Sequence, residues 1–348
     1  MSPGRPAKPT IVFAYIVRRV IAAIALMFVV SVIIFSIFYL VPRLAGASPE
    51  TLASRYVGRA ATESTVKVTA ERLGFYDPIY VQYGDWAKGV VTGAEYDMGP
   101  VTEQCPAPCL GYSFVNRQPV WPELVDRIPV TFSLAIGAAV IWVIFGVSVG
   151  VLSALRRGSF FDRFAMVIAL AGVSLPIFWT GLVALFLFSY RWEIAPPGGT
   201  YVPFLDNPFE WAAALTLPWI TLALLFSAQY ARLTRAGMLE TMNEDYVRTA
   251  RAKGLTERRV VTKHGMRGAL TPLVTIFGLD FGLLIGGAIL TETAFGLNGL
   301  GKYAVEGIRA NDLPKIMGVV LVAAVFVAVA NLLVDLLYAV VDPRVRTQ

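Results

Sequence analysis

The sequence predicts an all-α membrane protein with six transmembrane helices. Three observations lead to this fold class: 56% of the 348 residues are hydrophobic, only 16% are charged, and the hydrophobic residues lie in long runs between polar segments. Soluble domains contain about 25% charged residues, so the low charged fraction indicates a surface that largely faces lipid. The net charge of +6 does not indicate a nucleic-acid partner, because the basic residues cluster beside apolar runs without interleaved aromatic residues.

Six apolar runs are each long enough to cross a hydrocarbon core of about 30 Å. The sequence predicts a cytoplasmic N-terminal tail over residues 1–19, a first span over residues 20–41, an extracytoplasmic segment over residues 42–129 and a transmembrane core over residues 130–348. The five spans of this core are predicted at Val130–Leu155, Phe164–Phe188, Trp211–Gln229, Leu270–Leu290 and Ile316–Val341. The first run is longer than the apolar region of about 7–15 residues in a cleavable signal peptide, so we predict an uncleaved span.

The distribution of Lys and Arg predicts the orientation. With the N-terminus inside, the inner segments contain 18 of these residues in about 73 positions, and the outer segments contain 12 in about 135. Because basic residues accumulate on the cytoplasmic side, we predict that both termini are cytoplasmic.

The extracytoplasmic segment is expected to contain helices around Thr65–Leu73 and Pro78–Val90, followed by a turn-rich stretch. Cys105 and Cys109 lie on the side where oxidation is permitted, and a local disulfide and two free thiols are both open. The single histidine is predicted on the opposite side of the membrane, so we expect no metal site.

The cytoplasmic segment 231–268 is polar and basic, although it lies between two apolar runs. A short helix is predicted over Asn243–Gly254, with Asn243 or Asp245 capping its start and Gly254 ending it. Ala250 and Gly254 are small and four residues apart, which would let another backbone approach closely. Basic cytoplasmic loops are common in membrane proteins, so a loop without a partner is the alternative to a docking helix.

Three residues are candidates for a translocation path: Asp280 near the middle of the fifth span, and Ser174 and Pro176 in the third, which Pro176 should kink. An ionisable residue inside a membrane is costly and often functional, but a hydrogen bond to a neighbouring helix is the alternative for Asp280. No cluster of catalytic groups is visible, so we expect no catalytic residue and no enzyme activity.

One pattern imitates a nucleotide-binding loop. Gly296–Lys302 fits the first seven positions of a phosphate-binding loop, but Tyr303 stands where Ser or Thr would hold magnesium. We therefore expect this chain to bind no nucleotide, and any ATP-driven process would need a separate ATPase.

Short motifs occur in order along nearly the whole chain: Tyr15-Ile-Val-Arg-Arg19, Leu73-Gly74, Val81-Gln82-Tyr83, Gly111-Tyr-Ser-Phe114, Ser174-Leu-Pro176, Asp245-Tyr-Val-Arg-Thr-Ala-Arg-Ala-Lys-Gly-Leu255, His264-Gly-Met-Arg-Gly-Ala-Leu-Thr-Pro272, Gly299-Leu-Gly301 and Asp342-Pro-Arg344. In this order and spacing they resemble the B-type permease subunit of dipeptide and oligopeptide ABC importers. The resemblance implies a type I importer permease fold in the cytoplasmic membrane of a prokaryote, with this chain forming half of the path.

The resemblance also implies the partners. They are a second six-span permease subunit of C type, one or two cytoplasmic ABC ATPase subunits that bind ATP and magnesium, an extracytoplasmic peptide-binding protein, and membrane lipid. The alternatives are a related importer of nickel or another small solute, a self-sufficient secondary carrier, and a membrane-embedded enzyme. A secondary carrier would be expected to scatter several acids or histidines through its spans, and this chain offers too few.

Two functional segments follow from the resemblance. Residues 243–255 match the coupling motif that docks an ATPase, with Gly254 at its glycine, and the implied docking residues are Asp245, Tyr246, Arg248, Thr249, Ala250, Arg251, Lys253 and Gly254. Arg248-Thr249-Ala250 departs from the Glu-Ala-Ala of the general motif, and the proline that follows the glycine appears only at Pro272.

The second segment, Thr291–Pro314, matches an outer loop that faces the binding protein. Its candidate contact residues are Glu292, Phe295, Asn298, Gly299 and Leu300. The stretch Glu95–Cys109 looks inserted relative to the family, and contact with a particular binding protein is one role open to it.

Overall fold

The computed structural model describes residues 9–57, 62–97, 102–285 and 288–341. In chain order, its α-helices are α1 (Pro9–Phe35), α2 (Val41–Leu44), α3 (Pro49–Val57), α4 (Glu63–Arg72), α5 (Ile79–Thr92), α6 (Val120–Leu155), α7 (Phe160–Ser174), α8 (Ile177–Ala184), α9 (Pro208–Thr241), α10 (Asp245–Ala252), α11 (Glu257–Arg259), α12 (Met266–Ile285), α13 (Ile289–Phe295), α14 (Leu300–Ala310) and α15 (Leu313–Val341). The described strands are β1 (Ala94–Asp97), β2 (Thr102–Cys105), β3 (Tyr112–Ser113) and β4 (Gln118–Pro119), and π-helical segments occupy Ser36–Leu40, Leu185–Arg191 and Val260–Gly265. Two compact units result, one from residues 1–128 and 299–348 and the other from Pro129–Asn298.

Five helical segments of the described chain are long and apolar enough to cross a membrane: Val17–Leu44, Val120–Leu155, Pro208–Thr241, Glu257–Leu284 and Leu313–Leu332. A sixth span results if the bent pair α7 and α8, with the π-helical segment that follows, is counted as one. The predicted fold class is confirmed for the membrane part. The positions of the termini relative to the membrane remain a prediction.

The third span is broken, where the sequence predicted only a kink. Phe160–Ser174 and Ile177–Arg191 meet at an angle of 100°. Leu175 is extended, with φ −84° and ψ 131°, because the ring of Pro176 excludes the helical conformation of the residue before it. Leu175 and Pro176 are both extended, so the chain turns through a larger angle here than it would if the proline only removed one helical hydrogen bond.

Several helices extend beyond the predicted spans. α9 continues to Thr241, so the first part of the predicted cytoplasmic loop 231–268 is helical. α1 already begins at Pro9, inside the predicted N-terminal tail, whose residues 1–8 lie outside the described chain. The predicted spans are shorter because hydropathy identifies only the apolar part of a helix. The backbone hydrogen bonds of the helix continue into the polar sequence beside it.

An aromatic core organises the first unit. Phe35 and Tyr39 stack with ring centroids 4.3 Å apart, and Phe75 lies 6.0 Å from Tyr39 and 5.3 Å from Tyr56 of α3. The hydroxyls of Tyr39 and Tyr56 share a hydrogen bond, and Met317 of α15 belongs to the same buried cluster. This core anchors the segment after the first span to α1 and α15.

The two predicted helices of that segment are confirmed as α4 and α5. Thr62 caps α4, since its hydroxyl accepts a hydrogen bond from the Thr65 amide at 3.3 Å. α5 begins directly after Pro78, whose missing N–H costs nothing at a helix start.

The predicted turn-rich stretch contains two small antiparallel pairs. β1 pairs with β2, with Ala94 opposite Cys105, and β3 pairs with β4, with Tyr112 opposite Pro119. Strands of two to four residues are too short for their alternation to be visible in the sequence, which is why they were not predicted. A disulfide joins Cys105 to Cys109, whose Cα atoms are 5.5 Å apart. Of the two alternatives that the sequence left open, a local disulfide and two free thiols, the structure contains the disulfide.

Glycines let α6 and α9 pack closely in the second unit. A Cβ atom at Gly146 would lie 2.7 Å from the Tyr230 Cβ, and one at Gly150 would lie 2.6 Å from the Ala231 carbonyl oxygen. The two glycines are four residues apart and therefore form a smooth strip on one face of α6. Small residues at this spacing are typical of closely packed membrane helices.

Candidate functional site

The predicted docking helix exists as α10, an eight-residue helix between the end of α9 and the short helix α11. Its first residue is Asp245, whose charge suits the positive end of the helix dipole. The predicted cap is wrong: Glu244 is the capping residue and its side chain makes no capping bond. Asn243 instead donates from Nδ2 to the Leu239 carbonyl at 2.8 Å, because it still lies within reach of the last turn of α9.

Gly254 ends this helical region as predicted. Its φ of +75° lies in the left-handed region, which glycine adopts without strain. Its amide donates to the Arg251 carbonyl at 2.9 Å, and the Leu255 amide reaches the Ala250 carbonyl at 3.4 Å. No heavy atom of the described residues lies within 4 Å of a Cβ built at Gly254, so this glycine is open within the chain. A close approach by the backbone of a partner stays a prediction.

One face of α10 is buried within the chain itself. Val247 is 0% exposed and Ala250 is 5% exposed, and both pack against Val260 of the following π-helical segment. Met242 and Leu255 border this small core. Tyr246, one of the predicted docking residues, is 48% exposed, and its hydroxyl donates to the His264 carbonyl at 3.5 Å.

The opposite face of α10 is polar, exposed and mainly basic. Arg248 lies 3.5 Å from Asp245, and both side chains are largely exposed. Arg251 donates twice to Glu257, at 2.7 and 3.1 Å, which closes the turn around Gly254. The carboxylate raises the pKa of the Arg251 guanidinium, which was already charged. The remaining predicted docking residues on this side are the exposed Thr249 and Lys253.

Small residues let the end of α9 pack closely against α12 and the π-helical segment before it. A Cβ at Gly265 would lie 2.8 Å from the Met242 sulfur, and a Cβ at Gly268 would lie 2.7 Å from Thr241 Cγ2. Buried Met238 and Ala269 form a core between the same two helices. α10 packs on Val260 of that π-helical segment, and because close-packed interiors transmit displacement, it is built to move together with α9 and α12.

An ion pair that sequence reasoning missed joins α9 to α7. Arg235 Nε donates to Asp162 Oδ1 at 2.6 Å, and Arg235 Nη2 donates to Asp162 Oδ2 at 2.8 Å. The Asp162 side chain is only 4% exposed, and it also accepts the Gly158 amide at 2.9 Å. The pattern Ser159-x-x-Asp162 was a visible sign of a helix start, but nothing local identifies an arginine 73 residues later as the partner.

The candidate path residues have local partners. Asp280 Oδ2 accepts a hydrogen bond from the Tyr230 hydroxyl of α9 at 3.0 Å, which is the alternative that the sequence left open for it. Ser174 is exposed and donates to the Leu170 carbonyl of its own helix at 2.9 Å. Pro176 lies at the break between α7 and α8. Their role in a path remains a prediction.

The predicted outer loop Thr291–Pro314 is not a loop, since it contains the end of α13 and the whole of α14. Glu292 is 0% exposed and accepts a hydrogen bond from Thr131 at 2.7 Å, and Phe295 and Leu300 are also buried. Gly299 is buried at the start of α14, and Asn298 is the exposed member of the set. In this conformation, apolar packing and a buried hydrogen bond hold most of these side chains inside. Their contact with a binding protein stays a prediction.

The segment that imitates a phosphate-binding loop is a turn between two helices. Gly296 ends α13 with φ +69°, and Gly299 precedes the first residue of α14. Tyr303 is fully buried and donates a hydrogen bond to Glu123. The positions of Gly296 and Gly299 at the ends of two helices explain why glycines occur there.

Known protein families match two parts of the chain, which together cover nearly all of it. Residues 146–347 match the family described as binding-protein-dependent transport system inner membrane component, and residues 12–135 match the corresponding N-terminal family. A protein of Brucella abortus (strain 2308), provisionally named a peptide transport system permease protein, is 40% identical over 96% of this chain and 99% of its own length.

Two further relatives carry dipeptide names. The dipeptide transport system permease protein DppB of Escherichia coli (strain K12) is 37% identical over 95% of this chain and 98% of the relative. The protein of the same name from Alkalihalophilus pseudofirmus is 36% identical over 96% of this chain and 99% of the relative. This chain therefore belongs to the family of inner membrane components of binding-protein-dependent transport systems.

Proposed function

We propose that this chain is the permease subunit of an ATP-driven importer of di- and oligopeptides, and that α10 docks a cytoplasmic ATPase. The observation that carries the docking role is the two-sided character of α10. Val247 and Ala250 fix one face in the chain's own core, while the polar face with Arg248, Thr249 and Lys253 is exposed. A surface helix that is anchored on one side and basic on the other is suited to contact a soluble partner.

The packing around α10 supplies a route for movement. ATP-driven closure of the ATPase subunits would displace α10, and its packing on Val260 would carry the displacement into the segment that leads to α12. The close contacts at Gly265 and Gly268 would pass it to the end of α9. The Arg235–Asp162 pair would pass it from α9 to α7. Nucleotide would then shift the population between outward-open and inward-open states through its different affinity for the two.

The substrate and partners are proposed from the relatives. The relatives with dipeptide names support short peptides as the substrate, and the family description supports dependence on a separate binding protein. The complex would contain a second six-span permease subunit of C type and one or two ATPase subunits, which would bind ATP and magnesium and perform the hydrolysis. The charge bias of the loops supports cytoplasmic termini.

Replacement of Gly254 by leucine tests the docking role. An L-residue in the left-handed conformation costs about 1–2 kcal/mol, and the side chain would project where the docked partner lies. We expect the Gly254→Leu complex to insert normally into the membrane but to lose peptide-stimulated ATP hydrolysis and peptide uptake.

Gly46→Leu is the matched control. Gly46 also has a positive φ, of +89°, and no heavy atom within 4 Å of its Cβ position, but it lies far along the sequence from α10. This variant should keep stimulated hydrolysis. Normal stimulation in the Gly254→Leu complex would contradict the proposed docking role.

A further inference from the structure

One side of α7 is exposed from the first residue of the helix onward. Phe160, Arg163, Phe164, Val167 and Ile168 are all exposed, and their spacing of three and four residues places them on one helix face. The rings of Phe160 and Phe164 stack with their centroids 5.8 Å apart. These five residues form the exposed stripe of α7.

The opposite side of α7 packs against α9. Asp162 is bound by Arg235 of α9, and a Cβ built at Gly172 would lie 3.6 Å from the Ala228 Cβ. Ala169, which lies between them on this side, is buried. This packing fixes the direction of the exposed stripe. Because α7 is the first half of the broken span, the apolar residues of the stripe are suited to contact lipid chains.

Three arginines lie at the beginning of the stripe. Arg156 and Arg157 belong to the turn that joins α6 to α7, and Arg163 belongs to the stripe itself. All three are exposed, and in the described part of the chain none of them forms an ion pair. The acid in this segment, Asp162, is buried and its charge is compensated by Arg235. The segment therefore presents three positive charges directly beside an apolar surface.

The turn that carries Arg156 and Arg157 is held in place by hydrogen bonds. The Ser159 amide donates to the Arg156 carbonyl at 3.0 Å, and the Gly158 amide donates to Asp162 Oδ2 at 2.9 Å. Gly158 has a φ of +79°, which glycine adopts without strain. Because the backbone is ordered before a ligand arrives, binding would cost mainly the freedom of the arginine side chains.

We propose that the three arginines and the exposed stripe of α7 bind one anionic phospholipid. The guanidinium groups would donate to the phosphate, and the acyl chains would lie along Phe160, Phe164 and Val167. A phospholipid is favoured over a soluble partner, because it joins an anionic head to apolar chains in the same order in which charge and apolar surface follow each other along α7. The inference depends neither on the proposed substrate nor on the docking role of α10.

Photo-cross-linking of phosphatidylglycerol to the purified complex in phosphatidylcholine nanodiscs tests the proposal. The probe carries a diazirine on one acyl chain, and phosphatidylcholine with the same labelled chain is the matched zwitterionic probe. We expect saturable cross-links of the phosphatidylglycerol probe within residues 160–171, at a yield at least about fivefold above that of the matched probe. Equal yields for the two probes, or no cross-link in this range, would overturn the inference.

Charge variants show whether the arginines hold the headgroup. Arg156→Gln, Arg157→Gln and Arg163→Gln combined should lower the phosphatidylglycerol yield to the level of the zwitterionic probe, because each arginine contributes roughly fivefold to binding at an anionic surface. Arg258→Gln, Arg259→Gln and Lys263→Gln combined remove the same charge from exposed residues of the same unit, and this control should keep the yield. An unchanged yield in the first variant, or an equal loss in both, would overturn the inference.

A second variant tests the apolar half of the site. Phe160→Ala combined with Phe164→Ala removes two exposed rings that stack on each other, and we expect the phosphatidylglycerol yield to fall at least about fivefold. An undiminished yield would overturn the part assigned to the stripe. Loss of a partner subunit from the purified triple glutamine variant, with the yield unchanged, would show instead that a protein covers this surface and would overturn the inference.

Discussion

Lys315 lies between two carboxylates in the first unit. Its Nζ atom is 3.9 Å from Glu123 Oε2 and 3.7 Å from Asp312 Oδ2, and the three side chains are 5%, 11% and 1% exposed. Ser113 donates a hydrogen bond to Asp312, and Tyr303 donates one to Glu123. The ammonium group therefore lies where it can compensate two carboxylates that have little access to water.

Replacement of Lys315 by methionine should therefore destabilise the protein strongly. Removing one partner of a buried ion pair costs about 3 kcal/mol or more, because the remaining charges lose their compensation. Thermal unfolding of the whole complex in detergent measures the effect. Lys88→Met is the control, since Lys88 is exposed on α5, and equal melting temperatures for the two variants would contradict the prediction.

Asp312 should make stability depend on pH. Burial raises the pKa of its carboxyl above the ordinary value, despite the hydrogen bond from Ser113 and the charge of Lys315. An acid whose pKa is raised by folding binds its proton more tightly in the folded state, so the folded state gains stability as the pH falls toward that pKa.

We expect Asp312→Asn to reduce the gain in thermal stability as the pH falls from about 7 to about 4, the ordinary pKa of aspartate, relative to the unmodified protein. Asp206→Asn changes an exposed acid and should preserve the full gain. The comparison of the three pH profiles isolates Asp312 from the other titrating groups. Parallel profiles for all three proteins would show that Asp312 does not carry this dependence.

Some features of individual residues could be predicted from the sequence and others could not. The role of Gly254 as a helix end was predictable, because a left-handed residue after a helix is a local requirement. The cap at Glu244 was not predictable from side-chain preference, since no side chain makes the bond. The cluster around Lys315 was invisible, because Glu123 and Tyr303 lie 180 residues apart in the sequence.

At the scale of elements, α10 depends on neighbours that the sequence does not place. Its own eight residues have too little apolar surface to form a stable helix alone. Val260 completes the core under Val247 and Ala250, and Gly265 and Gly268 allow α12 to approach the end of α9. The helix was predicted from its caps and charges, but its buried face was decided by this packing.

The Asp162–Arg235 pair should matter more for coupling between elements than for folding alone. We expect Asp162→Asn to lower stability by about 1–3 kcal/mol, because Arg235 is 26% exposed and keeps part of its hydration. We further expect peptide-stimulated ATP hydrolysis to fall more than basal hydrolysis, since α7 would no longer follow α9.

Two variants make this prediction specific. Asp206→Asn is the matched change at an exposed acid of the same unit and should affect neither activity. The double variant Asp162→Asn with Arg235→Gln should cost less than the sum of the two single changes, because both remove one interaction. Additive costs, or equal losses of basal and stimulated hydrolysis, would rule out the coupling role.

At the scale of the whole molecule, the orientation is the prediction with the most consequences. Lys88 and Lys263 are both exposed, and the proposed topology places them on opposite sides of the membrane. A membrane-impermeant maleimide should label Lys88→Cys in intact cells and should label Lys263→Cys only after the membrane is disrupted. The native Cys105 and Cys109 are joined and should not react. The reverse labelling pattern would overturn the proposed topology and, with it, the cytoplasmic docking role of α10.

By itself, the sequence determined the membrane class, the number of apolar runs and the position of α10, because these depend on local composition and on hydrophobic runs longer than a bilayer is thick. Only the tertiary structure decided that the third span is broken by 100°, that residues near Thr291–Pro314 are helical and mostly buried, and that Asp162 pairs with Arg235. These features depend on contacts between distant parts of the chain, and close packing selects them from many alternatives that the local sequence equally permits.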